Sequence, residues 1–476
     1  GSDDGKSAMP LLDEDRLFPV DTHGKGLARE LFRNLCDLPI ISPHGHTDPG
    51  WFAKNAPFNN PAELFVTPDH YVFRMLYSQG VRLEDLGIRS GEHAEKPVDP
   101  RAVWRTFAAH YHVFRGTPSR LWIDHSLQNL FGVDKVLSAD TADDVYDQIA
   151  DCLTRPEFRP RALFDRFDIE VIATTESPLD SLENHAQISS SDWDGRVITT
   201  YRPDAVIDPE TADFAQNLQS FAKITNEDTT TWDGYLNAHR KRRRDFIAHG
   251  ATATDHGHPT ANTANLPESE VRSLFDALLR GAHSAAQAEM FRAHMLTEMA
   301  KMSLEDGLVM QIHPGSRRNH AHSIFDKFGT DMGFDIPGRT DYVCALGPIL
   351  DVVGHDPDFT LIAFTLDESS YARELAPLAG VYPALKLGPA WWFFDSPDGM
   401  RRFREMTTET AGFYNTVGFN DDTRALCSIP ARHDVARRVD CAYLAALVTS
   451  GRLGEADAFD LAQDLTYRLA KKAYRL

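Results

Sequence analysis

The chain has 476 residues, 42% of them hydrophobic and 25% charged, and a formal net charge of −21. That composition is ordinary for a soluble globular protein, and the length suits one large domain with an insertion, or two domains. A field of that sign repels nucleic acid and anionic membrane surfaces, which excludes both as expected partners.

The first nine residues lack the basic start and apolar centre of a signal peptide, and Gly1-Ser2 reads as a cloning remnant. Residues 1–20 are expected to be a poorly ordered or docking arm. The first strand-like run, 38–46, ends in His44-x-His46. On a strand, residues two apart point to the same side, so both imidazoles can reach one metal ion, a ligand type that suits zinc. Two surface histidines in a loop are the competing reading. Residues 51–164 follow and read as helical over 61–79, 100–113, 119–130 and 142–153. A crossover needs only one helix, so most of this stretch is expected to be a helical insertion subdomain after the first strand. Further strand-like runs lie at 169–175, 196–201, 246–251, 307–313, 360–365, 382–387 and near 415–422, with helical patterns such as 268–303 and 370–379 between them. Strands alternating with helices predict an α/β fold, a (β/α)8 barrel of the TIM type formed by 21–50 and 165–476. No run approaches the roughly 18 apolar residues that span a bilayer. The five cysteines (Cys36, Cys152, Cys344, Cys427, Cys441) include no Cys-x-x-Cys pair. They read as small buried residues in a reducing cytoplasm.

In such a barrel the catalytic residues sit at the C-terminal ends of the strands. Polar residues collect at those ends: His44 and His46, then Tyr201-Arg202-Pro203-Asp204, then Thr254-Asp255-His256-Gly257-His258. His313-Pro314-Gly315 with Arg317 and Arg318 comes next, then Trp391-Trp392, and last Asp421-Asp422-Thr423-Arg424.

His44-x-His46, a later strand-end histidine and a carboxylate after the last strand resemble the amidohydrolase superfamily. The longer motifs are more specific. Asp69-His70-Tyr71, Tyr201-Arg202-Pro203-Asp204, Thr254-Asp255-His256, Gln311-Ile312-His313-Pro314-Gly315, Trp391-Trp392 with Asp395, and Asp422-Thr423-Arg424 resemble the uronate isomerase family. The resemblance implies an aldose–ketose isomerase that interconverts D-glucuronate with D-fructuronate and D-galacturonate with D-tagaturonate. It also implies one divalent metal ion, expected to be zinc.

On that resemblance, His44, His46 and Asp422 are expected metal ligands, and Asp421 a solvated loop carboxylate. His313 is expected to contact substrate or to ligate metal, with substrate contact favoured. Arg202 and Arg424 suit the substrate carboxylate, because a guanidinium binds a carboxylate through two parallel hydrogen bonds. The alternative is a structural ion pair with Asp204 or Asp422, and Arg317 and Arg318 are further candidates. Only the resemblance promotes His70 to a substrate group and Tyr71 to the base that takes the C2 proton. Asp255 is expected to open the sugar ring as an acid–base, or else to cap a helix. Trp391 is an expected wall for the sugar, Asp395 a structural residue, and His256 and His258 have no assigned role. The expected reaction moves a proton from C2 to C1 through a cis-enediol, with Asp422 shuttling the hydroxyl proton. Hydride transfer is the rival route. Metal-dependent hydrolysis, as in the wider superfamily, is the alternative function, weighed against by the lack of an evident carboxylated-lysine position. A homo-oligomer is the default expectation for a large soluble enzyme.

Overall fold

The computed structural model describes residues 10–89 and 98–476, so the expected cloning remnant and the first nine residues of the N-terminal arm lie outside the described residues. Two parallel sheets carry the fold. The first consists of β1 (Ile40–Ser42), β2 (Ile169–Ala173) and β3 (Val197–Ile198), in that order. The chain continues through β4 (Ala253–His256) and β5 (Val309–Ile312) to an antiparallel ribbon of β6 (Ser316–Arg317) and β7 (Ile336–Pro337). It then forms β8 (Leu361–Ala363) and β9 (Leu385–Leu387), and the second sheet runs β4-β5-β8-β9. Single parallel bridges extend the ladder: Tyr201 to Thr254 between β3 and β4, and Leu387 to Thr416 beyond β9.

Both strand faces are buried, which is why these segments read as short continuous apolar runs. Met310, Ile312, Leu361, Ala363, Leu385 and Leu387 pack against the surrounding helices. The alternate residues face the C-terminal segment: Val309, Ile362 and Phe364 pack with Tyr474, and Ile41, Val171 and Ile198 pack with Ala470. Tyr474 is fully buried and donates its hydroxyl to Gln311 Oε1 at 2.7 Å.

Four local expectations are corrected. The strand expected at 246–251 is the end of a helix, Trp232–Ala248, whose buried face includes Phe246. Gly250, with φ of +90°, ends that path, and the strand begins at Ala253. Its sequence, Ala-Thr-Asp-His, carries polar side chains and so has no apolar signature. The run near 415–422 contributes only the bridge at Thr416. β1 stops at Ser42, so His44 and His46 lie in the loop after the strand. The single helix expected over 61–79 is two, Pro61–Phe65 and His70–Ser78. Asp69 caps the second by accepting the Tyr71 N–H at 2.9 Å, as an N-cap carboxylate does. That break places His70 and Tyr71 in a first helical turn.

Between β1 and β2 the described residues fold mainly into helices, whose apolar residues Phe52, Phe73, Trp104 and Phe107 join Ile40, Ile172 and Val197 of the strands in one core. Leu11 to Arg16 dock on the body: Gln128 Oε1 accepts the Leu11 N–H at 2.7 Å and Arg16 pairs with Asp434 at 2.7 Å. Cys152, Cys427 and Cys441 are buried as expected, whereas Cys36 and Cys344 are exposed. No helix among the described residues is long and apolar enough to cross a membrane.

Candidate active site

The loops at the C-terminal ends of the strands surround a cavity of about 850 Å³. The loop after β1 is tied to its neighbours by two hydrogen bonds, Thr175 Oγ1 to the Gly45 carbonyl at 2.9 Å and the His46 N–H to the Thr423 carbonyl at 3.1 Å. The second of these brings the segment after Thr416 against the segment after β1. Asp422 Oδ1 thereby lies 3.5 Å from His44 Nε2 and 3.1 Å from His46 Nε2. These three ligand atoms lie within 4.8 Å of one another. Asp422 Oδ1 still lacks a partner of hydrogen-bonding geometry among the described residues. Atoms that converge without bonding to each other fit a shared cation. Burial pushes His44 down to about 4, against Asp422 and Asp255, so it stays neutral at pH 7, the form that ligates metal. Burial would raise Asp422, but His44 and His46 outweigh it and hold the carboxyl below its usual range.

Beside this triad runs a chain of charge-assisted hydrogen bonds. His313 Nδ1 sits 2.5 Å from Asp255 Oδ1, and Asp255 Oδ2 accepts from Arg202 Nη1 at 3.1 Å. Arg202 Nε donates to Asp204 Oδ2 at 3.1 Å. Asp255 is fully buried, and although burial opposes its charge, His313, Arg202 and His44 hold it well below the carboxylate range. It lies on a strand and is not a helix cap. Its bond to Nδ1 leaves His313 Nε2 as the nitrogen without a partner among the described residues. The His313 ring is clamped by Phe364 at 4.0 Å, His44 at 4.8 Å and Trp391 at 4.7 Å between centroids. The loop after β4 closes tightly over Arg202: a Cβ on Gly257 would lie 2.2 Å from Arg202 Nη2.

Arg424 lines the cavity, is exposed, and makes no ion pair among the described residues. The ion pair with Asp422 weighed for it does not form, whereas Arg202 does pair with Asp204. Arg318 also lines the cavity, while Arg317 lies exposed on β6. His70 stacks on Tyr71 at 4.7 Å, and both reach the cavity wall with Trp391. Burial pushes the Tyr71 phenol above its ordinary value, and Arg432, 5.4 Å from the ring, opposes this without overcoming it.

Arg432 and Glu176 escape notice in the sequence. Arg432, on the helix Ile429–Thr449, stacks over Trp122 at 3.7 Å and pairs with Asp395 at 3.0 Å. Nothing local in the sequence marks it. Glu176 is the first charged residue after the β2 run, the same strand-end signal that marks the other site residues. Asp421 is also corrected: it is 1% exposed and takes a hydrogen bond from His433 Nε2 at 2.9 Å, so it is a buried anchor rather than a solvated carboxylate.

Glu176 accepts from the Thr174 and Thr199 hydroxyls, both at 2.6 Å, yet burial raises it to about 7. A raised carboxyl pKa contributes stability below its unfolded value and loses it as pH rises through the folded value. Glu176→Gln should therefore gain stability relative to the unsubstituted chain between about pH 5 and about pH 8. The gain should reach roughly 3 kcal/mol, since each tenfold difference in proton affinity between the folded and unfolded chain is worth about 1.4 kcal/mol. Urea unfolding of the two metal-free proteins at both pH values checks this, and a pH-independent difference contradicts it.

These features define an α/β enzyme built around a candidate histidine–carboxylate metal site. The family model described as glucuronate isomerase matches residues 18–474. A uronate isomerase of Mesorhizobium japonicum is 64% identical, the match covering 98% of this chain and 100% of that protein. One of Rhizobium meliloti is 63% identical, over 98% and 99%. The crystal structure of a glucuronate isomerase from Caulobacter crescentus has a TM-score of 0.96 at 58% identity and 98% coverage of both chains. The chain belongs to the glucuronate isomerase family and is an isomerase.

Proposed function

We propose that this cavity interconverts D-glucuronate with D-fructuronate, and D-galacturonate with D-tagaturonate, by proton transfer through a cis-enediol. The observation that carries the reading is the meeting, on one cavity, of the His44–His46–Asp422 triad, the His313–Asp255 pair and Arg424, which has no ion pair among the described residues. A cation, a proton-transfer group and a carboxylate receptor are what a sugar-acid isomerase needs. The strand ladder, its bridges and the His46–Thr423 hydrogen bond support closure into a (β/α)8 barrel formed by 21–50 and 165–476, with 51–164 as a helical subdomain at its mouth.

His44, His46 and Asp422 would hold one divalent ion; two imidazoles and a carboxylate suit zinc. When bound, the ion supplies Lewis-acid polarisation of the carbonyl and stabilises the charge that develops as the enediol forms. Arg424 takes the substrate carboxylate, with His70 beside it, and Trp391 forms a wall against the sugar. Arg202, two of whose donors are held by Asp204 and Asp255, contributes positive charge at the cavity wall for the substrate carboxylate. His313 Nε2 moves the proton of ring opening, and Asp255 is the positioning residue that fixes its tautomer. Tyr71 stands at the C2 proton, and because burial disfavours its phenolate, its work as a base depends on the positive charge of the loaded site. Asp422 passes the hydroxyl proton between O2 and O1.

The test is incubation of metal-loaded protein with D-glucuronate or D-galacturonate labelled with carbon-13 at C1. The label should move from an aldehyde-derived signal to a ketose hydroxymethyl signal. Label that stays at the aldose position for both sugars overturns the assignment.

A further inference from the structure

A second cluster of ligating atoms lies beside the first, on the far side of Arg202. Asp204, His256 and His258 each offer an atom, and these lie within 4.8 Å of one another. His258 Nε2 is 3.8 Å from Asp204 Oδ1. Bonds of about 2.05 Å in a tetrahedral zinc site place ligand atoms about 3.4 Å apart, so the His258–Asp204 pair needs to close by only a few tenths of an ångström. Asp204 Oδ1, His256 Nδ1 and both ring nitrogens of His258 are buried and have no hydrogen-bond partner among the described residues. His256 is 1% and His258 5% exposed. Buried polar atoms are rarely left unpaired, and here the three side chains that carry these four lie together.

The other ends of these side chains are held. Asp204 Oδ2 accepts from the Gly257 N–H at 3.0 Å and from Arg202 Nε at 3.1 Å. His256 Nε2 lies 3.0 Å from Thr254 Oγ1, and when it donates there, Nδ1 keeps its lone pair, with no hydrogen-bond partner among the described residues. We propose that Asp204, His256 and His258 form a second divalent-cation site, of the zinc type, distinct from the His44–His46–Asp422 site and independent of the isomerase reading. Two imidazoles exclude magnesium and calcium as the preferred ions, since both favour oxygen ligands. Burial keeps both histidines neutral, pushing His256 down to about 3 and His258 below its ordinary value, so both are in the ligating form near pH 7. The carboxylates of Asp204, Asp208 and Glu289 face His258, Asp204 being paired with Arg202 and the other two with Arg292. An ion here pins Asp204, and through it Arg202, at the rim of the cavity.

The test uses the full chain, stripped with a chelator, incubated with Zn²⁺ alone, desalted and analysed by plasma mass spectrometry. Two zinc ions per chain are expected. Asp422→Asn should lose one, and the His256→Gln, His258→Gln double variant should lose the other and keep the first. A single ion in the unsubstituted protein, or an unchanged zinc content in the double variant, overturns the proposal. Should the double variant fail to fold, anomalous diffraction at the zinc edge from soaked crystals of the unsubstituted protein decides. A peak among Asp204, His256 and His258 supports the site; a water or no peak there overturns it.

Discussion

Asp422→Asn is expected to strip the His44–His46–Asp422 site of its metal and to lower kcat by about 10³-fold, the several kcal/mol that a Lewis acid contributes to a developing oxyanion. The substitution keeps the side chain's shape while removing its ligand charge and its proton-carrying oxygen together. Asp422 sits at φ of +44°, in the left-handed region, where asparagine is among the residues best tolerated. The variant should therefore fold, and its loss should appear in metal content and kcat together. Removing the carboxylate also leaves His44 Nε2 and His46 Nε2 without the anion 3.5 and 3.1 Å away. Full metal occupancy with kcat within a few-fold of the unsubstituted chain would contradict the ligand assignment.

Asp255→Asn carries the second large effect, and it acts on two things at once. The carboxylate serves His313 Nδ1 with one oxygen and Arg202 with the other. An amide can satisfy only one of them: with its oxygen toward either donor, its NH₂ meets the other. The expected loss is about 10²–10⁴-fold in kcat, the range of general acid–base catalysis, because the His313 tautomer is no longer fixed. Stability should also fall by about 1–3 kcal/mol, since Arg202 keeps Asp204 but loses one of its two carboxylates in a buried site. His313→Gln separates the two effects. It removes the proton carrier and keeps the Asp255–Arg202 pair, so kcat should collapse with a much smaller loss in urea unfolding. Equal destabilisation in both variants would show that the pair does not hold Arg202 in the way described.

The strand ends are legible in the sequence because their chemistry is concentrated. His44, His46, His313, Asp422 and Arg424 all follow short apolar runs and line one cavity, and Asp255 lies behind it, bonded to His313. The first pair is brought together for a different reason than its spacing suggests. Strand alternation does not align His44 with His46, since β1 ends at Ser42; the loop is held by Thr175 and Thr423, contacts remote in sequence. β4 lies later than the apolar pattern suggests because its four residues present polar groups, while the preceding helix ends in an apolar turn that resembles a strand. Periodicity reports burial, and a strand that builds a polar site loses that signature. Arg432 is invisible for another reason: it reaches the cavity from a long buried helix, and only tertiary packing brings it to Trp122 and Asp395.

Proton transfer at C2 is the central claim, and isomerisation in D₂O tests it most directly. Metal-loaded protein, D-glucuronate and D₂O are combined, and the ketose is examined by proton NMR. A ketose carrying solvent deuterium at C1 is the predicted result, because an enediol lets the transferred proton exchange. A ketose with only protium at C1, at early and at complete conversion alike, would contradict proton transfer through an exchanging base and return the mechanism to a hydride shift.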